Sequence, residues 1–241
     1  WPLPAMAPLA QALALLAMAV ATVAIKVKPL DMALDSFDDQ YLSCGASMTQ
    51  KLPELLDSDF AKDREFKKDW DVARVTWQKR GSVSSPLSPD QAVALMAYST
   101  SGTGLYKHFN EAVSEAGSSR WKYRNNFHFK SLHFLLTTAL QTLPRPKQCL
   151  WVFRGGRDTR VEAQKGTKVR FGQFASTSRS AAVAQRFGQV TMFTVRTCHG
   201  ANIQRFSRFP REQEVLIPPF EIFEVLDSHE EWNTMHITLS S

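Results

Sequence analysis

The apolar residues of this chain change their period partway along, and that change limits the folds open to it. From Met48 to Lys79, Leu52, Leu55, Leu56, Phe60, Phe66, Trp70, Val72, Val75 and Trp77 recur at helical spacing among charged residues. Pro53 is expected in a first turn. Further helices are predicted over Asp90 to Tyr98, Leu105 to Ala116 and Phe127 to Leu143, the last stopped by Pro144 and Pro146. Gly81 to Pro89 reads as a linker, and Ser101 to Gly104 as a break. Beyond Cys149 the pattern shortens. Cys149 to Phe153, Val169 to Ser176, Val190 to Thr197, Glu214 to Ile217, Phe220 to Leu226 and Trp232 to Leu239 read as strands, with a short helix at Ala181 to Phe187. Helices first and strands afterwards predict an α+β protein, not a doubly wound sheet. With 44% apolar and 22% charged residues, the chain has the composition of a globular domain.

The N-terminus reads differently from the rest. Leu9 to Ile25 is apolar apart from Gln11 and Thr22, which fits the apolar region of a secretory signal peptide. At about 17 residues it is marginal for a membrane anchor, the competing reading. A signal peptide over residues 1–24 and a secreted product are therefore expected. The formal charge is +6, with Arg154, Arg157, Arg160, Lys165, Lys168 and Arg170 forming a basic run that would suit a phosphate-bearing ligand. No zinc-finger, RNA-binding or basic-leucine pattern occurs, so no nucleic-acid partner is expected. Three cysteines, Cys44, Cys149 and Cys198, leave an odd thiol in an oxidising compartment.

Three segments carry residues suited to chemistry. Arg154 follows the apolar Trp151-Val152-Phe153 and precedes Gly155 and Gly156. Its guanidinium can fork onto phosphate oxygens, while the glycines let backbone approach a ligand. Ser176-Thr177-Ser178 places three hydroxyls after an apolar stretch, as ligand donors or as caps to the helix near Ser180. Glu212 and Glu214, two apart before Val215-Leu216-Ile217, would share one side of a strand, where like charges shift one pKa upward. The histidines are scattered, so no metal site is expected.

The order arginine, serine, Glu-x-Glu resembles the vertebrate ecto-mono-ADP-ribosyltransferases, the arginine-specific group related to clostridial-type toxins. The similarity extends to Asp35-Ser36-Phe37-Asp38-Asp39-Gln40-Tyr41, Tyr123-Arg124-Asn125-Asn126-Phe127-His128-Phe129-Lys130, Gly172-Gln173-Phe174-Ala175-Ser176 and Glu214-Val215-Leu216-Ile217-Pro218-Pro219, and covers about residues 31 to 240. The resemblance implies a helical N-terminal part packed on a C-terminal, β-sandwich-like NAD-binding core. Residues 25–241 would then be one catalytic domain, ending short of the family's last cysteine. It implies transfer of ADP-ribose from NAD+ to protein arginines. NAD+ is then a substrate, with no prosthetic group. In these terms Arg154 and the adjoining Gly155 hold NAD, and Ser176 orients the glutamate and the nicotinamide ribose. Glu214 is catalytic, Glu212 directs transfer to arginine, and Phe187 packs against nicotinamide. Cys149 and Cys198 would pair, closing a loop of about 50 residues with a stabilisation of about 4 kcal/mol. Cys44 would pair with a cysteine beyond Ser241. Partners would be arginine-bearing extracellular or cell-surface proteins, with membrane attachment only where a C-terminal anchor signal follows. NAD+ hydrolysis and a non-enzymatic, secreted interaction protein are the alternatives.

Overall fold

The computed structural model describes residues 25–81, 85–100 and 104–241; the expected signal peptide and residues 82–84 of the linker lie outside them. The long first helical stretch is two helices, α1 (Gly45–Lys62) and α2 (Arg64–Lys79). Asp63 divides them, because its side chain accepts from the Phe66 amide at 2.8 Å and so caps α2. Pro53 lies inside α1 and not in its first turn, since the helix begins at Gly45. Next come α3 (Pro89–Tyr98), α4 (Leu105–Ala116), α5 (Arg120–Asn125) and α6 (Lys130–Thr142). Ser88 and Gln91 form a capping box on α3, with Pro89 at the first position. These helices close on Phe66, Trp70, Leu95, Phe109, Leu132 and Leu136, all buried. Each such side chain contributes roughly 1.5–3 kcal/mol by leaving water. Asp59 reaches from α1 to accept from the Ser131 amide and hydroxyl at 2.8 and 2.7 Å, satisfying the start of α6.

The regular structure of the C-terminal half is chiefly strand: β2 (Leu150–Gly156), β3 (Thr159–Glu162), β4 (Lys168–Val169), β5 (Ala175–Ser178), β6 (Thr191–Thr197), β7 (Ala201–Asn202), β8 (Glu214–Ile217), β9 (Phe223–Glu231) and β10 (Thr234–Ser240), with α7 (Ala181–Gln185) after β5. An N-terminal strand, β1 (Lys26–Pro29), pairs in parallel with β3 as a separate ribbon. The remaining strands follow the order β4-β9-β10-β6-β2-β5-β8-β7. One residue pair, Phe153 with Ser178, joins β2 to β5. The ladder thus behaves as two half-sheets meeting at a narrow seam. Val152, Phe193, Val195, Val225 and Ile237 of one half pack with Ala175, Val215 and Ile217 of the other. On its opposite face β8 sends Leu216 into the helical core, which explains why all four β8 residues are buried. The α+β expectation, helices packed on a β-rich core, holds.

Cys149 and Cys198 form a disulfide between the start of β2 and the end of β6, while Cys44 is a half-buried free thiol at the start of α1. Among the described residues, no helix is long and apolar enough to cross a membrane.

Candidate active site

The strand β2 continues through Arg154, Gly155 and Gly156, so the arginine sits inside the strand and does not leave it. Pairing of Gly155 with Met192 and of Gly156 with Thr191 carries the ladder past the expected end. A side chain at Gly155 would lie 2.3 Å from the Ala184 carbonyl and 2.4 Å from that of Gly188. The close approach that this glycine permits is therefore to the protein's own α7 segment. The half-buried Arg154 guanidinium donates from Nη1 to the Ser176 carbonyl at 2.6 Å and from Nη2 to the Tyr106 hydroxyl at 3.3 Å. Burial works against its charge, but Tyr106, Tyr98 and Glu214 outweigh burial and hold its pKa above the ordinary value.

The three hydroxyls do not follow a strand; they are part of one. Ser176 pairs with Leu216, and Ser178 with Glu214, across β5 and β8. Thr177 donates to the Val215 carbonyl and Ser178 to the Glu212 carbonyl, each at 2.7 Å. That leaves the Ser176 hydroxyl for side-chain work: it lies beside Glu214 and Tyr98 and favours the ionised form of each. Ser180 caps α7, its hydroxyl accepting from the Val183 amide at 3.4 Å.

Glu214 is only 6% exposed. Hydroxyls of Ser176 and Ser207 both reach its carboxyl. Its pKa is nonetheless raised, first by burial and further by the Glu212 charge, with the two hydroxyls and Arg154 opposing. Glu212 is placed otherwise than the sequence suggests. It ends a 3-10 turn, Pro210–Glu212, whose Glu212 amide donates to the Phe209 carbonyl at 3.0 Å. Gln213 then takes a left-handed conformation, φ +49°, and the strand starts only at Glu214. The carboxylates are thus neighbours across a turn, not on one side of a strand. Glu212 is half-buried, which raises its pKa too.

The basic run finds a different setting from the one expected of it. Within the basic run, Arg160 pairs with Glu230 and the buried Arg170 with Asp38, while Arg157 donates to the Phe187 and Arg186 carbonyls. Of that run only Arg154 is joined to the Ser176 and Glu214 group. Phe187 lies two residues beyond the end of α7, 45% exposed.

Sequence reasoning missed four residues that build this centre. Tyr98, buried at the end of α3, donates to the Phe174 carbonyl at 2.9 Å, and burial drives its pKa far up. Asn110 clamps the Phe174 backbone, donating to its carbonyl and accepting from its amide, each at 3.1 Å. Tyr106 receives Arg154, and the fully buried Ser207 reaches Glu214. The only local signals were tyrosines bordering a break between helices and a serine just before the Glu-x-Glu segment.

Comparison with known proteins places this arrangement. A family model described as NAD:arginine ADP-ribosyltransferase matches residues 30–241. The chain is 48% identical over 200 residues to NAD(P)(+)--arginine ADP-ribosyltransferase 2 of Gallus gallus, spanning 81% of this chain and 64% of the relative. It is 46% identical over 217 residues to the GPI-linked NAD(P)(+)--arginine ADP-ribosyltransferase 1 of Homo sapiens, spanning 83% of this chain and 66% of the relative. The chain therefore covers just under two thirds of the length of these curated relatives. Among solved structures, the eukaryotic mono-ADP-ribosyltransferase ART2.2 superposes with a TM-score of 0.76 at 36% identity, over 88% of this chain and 93% of that one. A variant of ART2.2 in complex with NAD gives the same TM-score. With the model matched from residue 30 to residue 241, the chain belongs to the NAD:arginine ADP-ribosyltransferase family.

Proposed function

We propose that this chain transfers ADP-ribose from NAD+ to arginine side chains, with release of nicotinamide. The observation that carries the reading is Glu214: a buried carboxylate on β8 beside the hydroxyls of Ser176 and Ser207, with Arg154 bound to the Ser176 carbonyl on the neighbouring β5, in a chain of this family. Glu214 accepts from the ribose 2′-hydroxyl and stabilises the positive charge that develops at C1′ as the bond to nicotinamide breaks. The bonding pair leaves with nicotinamide, which departs neutral, so no strong acid is needed. Arg154 holds the dinucleotide through its phosphates and adjoining ribose, limiting the wandering of the reactive sugar. Ser176 keeps the Glu214 carboxyl in place. Glu212, at the half-exposed turn, receives the acceptor guanidinium. A guanidinium nitrogen attacks C1′ and its proton passes to Glu212, whose raised pKa suits a base. Gly155 and Phe187 belong to this reading as the lining beside Arg154 and as the face for nicotinamide.

NAD+ is the substrate, and no prosthetic group is invoked. Residues 25–241 act as one catalytic domain behind a signal peptide at 1–24. Human relatives bear the descriptions GPI-linked and ecto-ADP-ribosyltransferase, which supports an extracellular or cell-surface setting and arginine-bearing proteins there as targets.

Purified protein with radiolabelled β-NAD+ and agmatine, with Glu214→Gln as control, tests the proposal. Label on agmatine, reduced by about a hundredfold or more in the variant, is the expected result. Free ADP-ribose without labelled agmatine assigns the chain to hydrolysis. Folded protein that leaves NAD+ untouched overturns both enzymatic readings.

A further inference from the structure

The segment leading to the two glutamates is closed on itself. The Ile203 amide donates to the Glu214 carbonyl at 3.0 Å, so residues 204–213 form a loop whose ends meet at Glu214. Arg205, Arg208 and Arg211 are exposed on that loop. Arg211 directly precedes Glu212 in the 3-10 turn. A fourth cation, Arg80, stands against the loop from beyond the end of α2. It donates to the Arg205 carbonyl at 2.8 Å and to the Ser207 carbonyl at 3.0 Å.

None of these four arginines makes an ion pair among the described residues; the pairs there involve other side chains. Arg208 is tethered through neutral partners, its amide to Ser99 at 2.9 Å and its guanidinium to Thr76 at 3.4 Å. Arg80 and Arg208 are near enough to repel: after burial, the Arg208 charge is what lowers the pKa of Arg80. The carboxylates of the loop and its end are Glu212 and Glu214, and Glu214 is buried against its own hydroxyl donors. Like charges gathered without counter-charge beside a site raise the energy of the free protein and favour an anionic partner.

This field bears on the acceptor. An arginine brings its own positive charge, and the arginines of this rim, with Arg211 adjoining Glu212 in the same turn, oppose a bare guanidinium. Carboxylates flanking the arginine reverse that repulsion and pair with the rim while the guanidinium enters. We propose that Arg205, Arg208 and Arg211, with Arg80 behind them, select acceptor arginines that have aspartate or glutamate beside them in the target protein. The inference rests on the transferase reading above and names its acceptor class.

Two peptides test it, one with a single arginine among serines and alanines, the other with glutamates on both sides of the same arginine. With NAD+ saturating, kcat/KM is measured for each peptide and for agmatine. The acidic peptide is expected to be better by about tenfold at low salt, with the ratio shrinking as salt screens the rim. In an Arg208→Gln/Arg211→Gln variant the ratio falls towards one, and in Arg208→Lys/Arg211→Lys it persists. Because the ratio is read within each variant, partial loss of activity cancels. Equal kcat/KM for the two peptides alongside transfer to agmatine overturns the rim and leaves the transferase reading intact. So does a ratio that survives the glutamine variant. Should the rim instead serve a sulfated polysaccharide, the peptides are equal and heparin retention depends on Arg208 and Arg211, which also overturns the proposal. No transfer to agmatine or to either peptide overturns the transferase reading and this one together.

Discussion

Burial raises the affinity of Glu214 for a proton and Glu212 adds to it, while Ser176, Ser207 and Arg154 pull the other way. A carboxyl whose pKa is higher folded than unfolded contributes stability below its unfolded pKa, and that contribution is lost as pH rises through the folded value. Glu214→Gln is therefore expected to stabilise the fold at about pH 7.5, by about 1 kcal/mol or 2–4 °C in Tm, and to lose that advantage near pH 4. Thermal melts at the two pH values decide it, and a lower Tm for the variant at the higher pH speaks against it. Ser207 lowers the Glu214 pKa through its hydroxyl, so Ser207→Ala should raise it further. If ionised Glu214 is required, the acidic limb of the kcat profile moves to higher pH in this variant. A loss of kcat with an unmoved limb would mean that Ser207 serves only packing.

At the level of elements, α7 rests on β2 because Gly155 has no side chain. Gly155→Ala would drive a methyl into two carbonyl oxygens of rigid backbone, and a destabilisation of about 1–3 kcal/mol is expected by chemical denaturation. The same strand shows what the sequence hides. The helix α4 and the strand β8 could be read with their observed ends, because apolar spacing and flanking Gly or Pro mark them. The continuation of β2 through Arg154-Gly155-Gly156 could not, since two glycines signal a break and only pairing with β6 overrides them. For a similar reason Val169 to Ser176 reads as one strand but is two, parted at Gly172, which has φ +66°. In the candidate site, the grouping of Arg154, Ser176 and Glu214 was legible because their types and order are distinctive. Tyr98 reaches Phe174 across 76 positions, and Asn110 across 64. Contacts that long leave no local pattern, and Arg160 and Arg170 looked like free cations until their partners Glu230 and Asp38 were visible.

Over the whole molecule, the disulfide of Cys149 and Cys198 ties together two neighbouring strands of one half-sheet, β2 and β6, where Leu150 already faces Thr197. Its removal in Cys149→Ser/Cys198→Ser should cost about 4 kcal/mol, seen as an earlier urea midpoint, since the open loop regains its unfolded-state entropy. A midpoint unchanged from that of the parent protein would show that β-pairing alone holds this edge. The seam between the half-sheets is held differently. Phe153 and Ser178 are its one ladder pair, and Arg154 reaches across to the Ser176 carbonyl. Arg154 belongs to one side of that seam, and Ser176 and Glu214 to the other. On the proposed reading, a dinucleotide gripped by both sides would be a strut as well as a reactant. Amide hydrogens along β2 and β5 should exchange more slowly with it in place, and each turnover would release the two halves to breathe again.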